Sequence, residues 1–184
     1  DSDDAMDELD ELISESPNLV YYLDVNLESV LDYGLENGNS EVVEIALNNG
    51  AIYDDPQRYD HMAYVHNSMD YYLGELIGRE ITEDDVRIIE LMFENGASTN
   101  YKNSPYSVYS NLFGKAVWAV LYNDEAVTDT EIEFIQVFIN NDLKSDNGLL
   151  LYEEKPNNVF FSSEYHADVL RDDNYNRIMT IIGR

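Results

Sequence analysis

The chain has 184 residues, enough for one domain or a short array of stacked units with its own core, and 44% apolar content argues against disorder along its whole length. Thirty-eight Asp and Glu face ten Lys and Arg, a formal net charge of -28, which weighs against direct binding of nucleic acid or anionic membrane because both need cationic surface. The absence of cysteine excludes a disulfide framework and any Cys-based metal site.

The charge is also uneven. Residues 1–57 carry sixteen acids and no Lys or Arg, the first cation being Arg58; from there on, twenty-two acids face ten bases. A field of this kind keeps a protein soluble, opposes compaction and steers cationic partners inward. No apolar run reaches the length of a membrane span, and the opening Asp-Ser-Asp-Asp is the opposite of a signal peptide's basic start, so an intracellular, cytoplasmic location is expected.

In chain order, Met6, Leu9, Leu12 and Ile13 recur at helical spacing and predict a short acidic amphipathic helix, with Pro17 either ending it or beginning its successor. The compact run Leu19 to Leu23 fits helix or strand. Beyond it three apolar segments align at an offset of 46: Val42 to Gly50, Ile88 to Gly96 and Phe134 to Asp142. The first two close with Gly-Ala (Gly50-Ala51 and Gly96-Ala97), a glycine where a helix C-terminus needs the left-handed conformation. Acids precede each segment, at Glu41, at Glu83 to Asp85 and at Asp129 and Glu131, where they suit first-turn amides and the helix dipole. An earlier helix in each unit carries a glycine (Gly34, Gly74 and Gly114), and the close approach of a paired helix is the expected reason.

The stretch Ser29 to Ala51 resembles the ankyrin repeat: two antiparallel helices, the second ending in an apolar run, Gly-Ala and a turn. Ser29 to Asp32 stand where that family has Thr-Pro-Leu-His, Gly34 takes a small-residue position, and Gly38-Asn39 forms the turn between helices. A second unit, about Ser68 to Asn100, matches in its second helix and carries an insertion at Gly78 to Thr82; a third, about Asn111 to Leu143, matches in apolar pattern. No unit keeps an intact Thr-Pro-Leu-His, and the offset exceeds the family's usual period, so an unrelated helical-hairpin repeat is the alternative. The resemblance implies an all-α, ankyrin-like solenoid of about three to four helix-turn-helix repeats with an N-terminal acidic helix. Its expected organisation is a cap over 1–26 and an array over 27–184, with units at 27–58, 66–103 and 108–147 and a C-terminal cap at 156–184.

Catalytic and metal signatures are sparse. His61 and His66 are five apart, off a common helix face, and neither they nor His166 sits in a zinc-binding motif. A calcium loop over Asp142 to Glu154 fails because Lys144 takes a ligand position. Ser162 and Ser163 near His166 lack a nucleophile elbow, and no phosphate-cradling glycine loop or dinucleotide fingerprint is present. Neither an enzyme nor a cofactor is expected.

Besides charge, tyrosine stands out: fifteen, against six Phe and one Trp. Tyrosine offers large contact area at low entropic cost and is enriched at binding hot spots. Phe113 and Trp118 read as core, whereas tyrosines beside acids fit either an outer core or a binding surface. The expected partner-binding residues are Tyr21, Tyr22, Asp24, Glu28, Asp32, Tyr33, Glu36, Tyr53, Asp54, Asp55, Tyr59, Asp60, Asp70 and Tyr71. The expected function is to bind, and to inhibit, a basic protein such as a nuclease, toxin or nucleic-acid-binding protein. A DNA mimic that sequesters DNA-binding proteins and a host-directed viral or bacterial ankyrin effector are the alternatives.

Overall fold

The computed structural model describes residues 2–24, 28–51, 68–97, 112–122 and 126–142, together with Arg177 and Thr180. Among the described residues there are seven α-helices and no strand, so the fold is all-α as expected. They are α1 (Ser2–Glu15), α2 (Val30–Glu36), α3 (Ser40–Asn48), α4 (Ser68–Glu75), α5 (Glu83–Glu94), α6 (Leu112–Leu121) and α7 (Asp129–Asp142). The ambiguous run after α1 resolves as a 3-10 turn, Pro17–Tyr21, with Pro17 at its start and Val20 turned inward.

Local chemistry sets most helix ends. Ser29 and Asp32 form a capping box at α2, Thr82 and Asp85 form one at α5, and Thr128 and Glu131 exchange the same bonds at α7. Asn39 caps α3 by accepting from the Val42 N–H at 3.0 Å. At the C-termini of α3 and α5 the glycine is left-handed, with φ +94° at Gly50 and +90° at Gly96. The following alanine N–H reaches back to the carbonyl five residues earlier, Ala51 to Ala46 and Ala97 to Met92, each at 2.9 Å. Asn49, Asn95 and Asn141, each 46 residues from the next, all donate a side-chain N–H to the carbonyl four residues back, at 2.9 Å.

The same offset governs the core. Val43, Ile89 and Ile135 are each 0% exposed, and Ala46, Met92 and Phe138 are equally buried at the next turn. The helices that carry them stack in one row, α3 on α5 and α5 on α7. The preceding helices form a second row, α2 on α4 and α4 on α6. Within units, α2 packs on α3 and α6 on α7, while the Tyr72 hydroxyl joins α4 to α5 by donating to Asp85. The result is a helical-repeat-like arrangement in two rows, with apolar faces buried mainly between successive units.

Gly34 meets the expected need for close approach: a Cβ there would lie 2.9 Å from Val43 Cγ2 of the paired helix. Gly74 departs from it, since its near neighbour is Lys115 Nζ of α6, in the following unit, at 3.3 Å. Helix α6 is buried all round, Phe113 and Trp118 included. A helix apolar on every side belongs inside a protein. Of the expected C-terminal cap only Arg177 and Thr180 fall among the described residues, both helical, and Arg177 donates to the Val127 carbonyl at 2.5 Å.

Candidate functional site

The segment from Tyr21 to Glu36 holds the largest group of expected binding residues. The 3-10 turn packs on both α1 and α2, and α1 also reaches α3. The Tyr21 hydroxyl donates to the Gly50 carbonyl at 2.7 Å, tying the turn to the end of α3, yet the residue stays 54% exposed. Tyr22 is 69% and Tyr33 56% exposed, so both rings stand largely in water. Asp24 turns the chain back: its carboxylate accepts from the Glu28 N–H at 3.0 Å while its own N–H donates to the Glu28 carbonyl.

The carboxylates here crowd one another. Burial and the negative charges of Glu36, Asp24 and Asp32 push the Glu28 carboxyl above its ordinary value. Glu36 accepts from the Tyr71 hydroxyl at 2.7 Å, linking α2 to half-buried Tyr71 on α4.

Two expected surface residues prove internal. Asp32 is buried in the capping box of α2, where its carboxylate accepts from the Ser29 N–H and hydroxyl, both at 2.8 Å. Asp70 is buried at the α4–α6 contact and pairs with Lys115 Nζ at 2.8 Å; the ammonium also donates to the Asp70 carbonyl. A buried cation needs a buried anion, and that need places Asp70 where composition had suggested a surface acid. Tyr53, Asp54, Asp55, Tyr59 and Asp60 lie outside the described residues, as do His61, His66, His166, Ser162 and Ser163.

Sequence reasoning missed where the cations go. Four Lys and Arg fall among the described residues, and each sits against a carboxylate of the same chain. Arg79 grips Asp85 with two bonds of 2.6 and 2.8 Å, and Lys115 holds Asp70. Arg87 on α5 reaches Glu44 of α3 at 2.9 Å, and Glu94 and Glu90 at 3.2 and 3.4 Å; Arg177 stands 3.7 Å from Asp129. All these contacts lie from α3 onward. Helix α1, the turn and α2 themselves contain no Lys or Arg, an absence legible in the sequence, where the first cation is Arg58.

Among the described residues no group of three or more His, Asp or Glu is arranged to hold a metal ion, and no helix is long and apolar enough to cross a membrane. No protein-family profile matches the chain, and no curated protein or solved structure shows significant similarity to it.

Proposed function

We propose that this chain is a protein-interaction module, an ankyrin-like array, that binds and inhibits a basic partner through the acidic, tyrosine-bearing surface of its N-terminal third. The partner class is a nuclease, a toxin or a nucleic-acid-binding protein, whose cationic site the acidic surface would cover. One observation carries the reading. The described cations serve carboxylates from α3 onward, while Tyr22, Tyr33, Asp24 and Glu36 project into water from a segment without positive charge. Surface acids raise the association rate with a cationic partner, and aromatic anchors slow dissociation.

The two helix rows and the repeated Gly-Ala helix ends support the ankyrin-like reading. The second reading, a DNA mimic, is favoured only by the charge itself.

Salt separates the two. The test is affinity capture from the native lysate at about 0.1 M and about 0.5 M salt, between which the screening length falls roughly twofold. A dominant basic protein retained at the higher salt supports the specific binder. A broad set of DNA-binding proteins that is lost at the higher salt supports the mimic, and capture of no basic protein at either salt rejects both.

A further inference from the structure

Three helices close on the same dipeptide: α2 on Asn37-Gly38, α3 on Asn49-Gly50 and α5 on Asn95-Gly96. The fold selects both residues. The glycines stand at φ +60°, +94° and +90°, where a side chain is strained, and each asparagine donates its side-chain N–H to the carbonyl four residues back at 2.9 Å. The pair that ends a helix well is also prone to deamidation. A main-chain nitrogen that follows asparagine can attack the side-chain amide carbon, and glycine lacks the Cβ that hinders the approach. Helix α7 keeps the asparagine, Asn141, but follows it with Asp142.

The three ends are not fastened alike. The Gly50 carbonyl accepts from the Tyr21 hydroxyl at 2.7 Å, and Asn49 is partly buried. Gly38 is partly buried, with the Arg79 guanidinium 3.3 Å from where its Cβ would stand. Only in Asn95-Gly96 are both residues of the pair exposed. In the closed end of α5 the Gly96 N–H donates to the Phe93 carbonyl at 3.0 Å and the Asn95 amide donates to Leu91, so both reacting groups are engaged. Attack therefore waits for the last turn to open, and helix ends open at little cost where solvent already reaches them.

We propose that Asn95-Gly96 is a spontaneous modification site that loosens the end of α5 as the protein ages. The Gly96 nitrogen gives its proton to solvent and bonds to Asn95 Cγ; the Cγ–Nδ2 bond breaks, and ammonia leaves after taking up a proton. Water then opens the succinimide at Cγ, giving aspartate, or at the Asn95 main-chain carbonyl carbon, giving isoaspartate. Either product carries a carboxylate instead of the amide that bonded Leu91, at a helix C-terminus whose dipole disfavours negative charge. Isoaspartate also adds a methylene to the backbone within the turn that sets the Ala97 N–H on the Met92 carbonyl. Phe93, in the same turn, packs edge-on against Phe138 of α7 with ring centroids 5.4 Å apart, so loosening reaches the contact between units.

Peptide mass spectrometry of the full chain, aged for weeks in mildly alkaline buffer, tests it. The expected result is that Asn95 converts at least about fivefold faster than Asn37 or Asn49 in the folded chain, with isoaspartate among the products, and that the three rates converge in concentrated urea. The fraction modified at Asn95, separated by anion exchange, should melt a few degrees below the parent in calorimetry. Asn95→Gln, whose longer side chain closes the ring far more slowly, should neither form that fraction nor lose Tm on ageing. Equal rates in the folded chain, a lead by Asn37 or Asn49, or a difference that persists in urea overturns the inference. So does a modified fraction that melts with the parent.

Discussion

Asp85 is fully buried and accepts five hydrogen bonds: two from the Arg79 guanidinium, one from the Tyr72 hydroxyl, and one each from the N–H and hydroxyl of Thr82. Burial pushes its carboxyl up, but the donors from Arg79, Tyr72 and Thr82 outweigh that and hold it below the ordinary carboxylate value. Burial and the adjacent Asp85 charge drive the Tyr72 hydroxyl the other way, well above its ordinary value, so it remains a donor. A depressed carboxyl stabilises the fold fully above its unfolded value, about 4, and that contribution is lost as pH falls through the folded value. Asp85→Asn is therefore expected to cost about 2–4 kcal/mol at neutral pH, since it leaves Arg79 without its anion. Urea unfolding at a series of pH values should show the deficit against the parent shrinking as pH drops from about 5 to about 3. A deficit constant over that range would contradict the assignment. Comparing variant with parent cancels the titration of the many other acids.

At the scale of elements, the α4–α6 contact depends on a buried pair. Lys115→Met alone leaves Asp70 as a buried anion without its cation and should destabilise by about 3–5 kcal/mol, whereas Lys115→Met with Asp70→Leu should recover most of the loss. A double-mutant cycle by denaturant unfolding reads this; additive losses would mean that the pair does not carry the contact. Gly34→Ala should cost about 1–3 kcal/mol because its Cβ meets Val43 at 2.9 Å, while Gly74→Ala, whose Cβ would stand 3.3 Å from the Lys115 ammonium, should cost less. Helix existence, the acidic first turns of α5 and α7 and the Gly-Ala ends were legible because each follows from local chemistry. The fate of Asp70 was not, because a carboxylate in an acidic sequence reads as surface and only the tertiary placement of Lys115 reveals the pair that buries it; Asp32 sits three residues after Ser29 in a local capping box, a signal that was overlooked. The run from Leu19 to Leu23 was ambiguous for another reason: Pro17 starts a single tight turn, too short for periodicity to show. At the N-terminal end the tyrosines and the lack of cations were readable, but not the exposure of Leu12, Leu19 and Leu23, the first assigned to a helix face and the other two to a run of ambiguous structure.

For the whole molecule, a net charge of -28 means that folding works against self-repulsion. Salt screens that repulsion more than it weakens close, partly buried pairs such as Lys115–Asp70. The Tm of the isolated chain should thus rise by several degrees between about 0.05 M and about 0.5 M sodium chloride, read by differential scanning calorimetry. A Tm that falls would mean that surface ion pairs such as Arg87–Glu44 dominate the balance. The same asymmetry links fold to function. Arg87 and Lys115 join successive units, and the N-terminal third, which has no Lys or Arg of its own, carries exposed aromatic rings. Binding should then combine a salt-sensitive association rate with a dissociation rate set by the rings.

The most direct test is the affinity of the captured basic partner for the parent chain and for Tyr21→Ser/Tyr22→Ser/Tyr33→Ser, measured at two salt concentrations. The account predicts a loss of about tenfold or more on removing the rings, persisting at about 0.5 M salt, with the salt dependence itself unchanged. An affinity that the triple substitution leaves intact, and that salt alone abolishes, would contradict it.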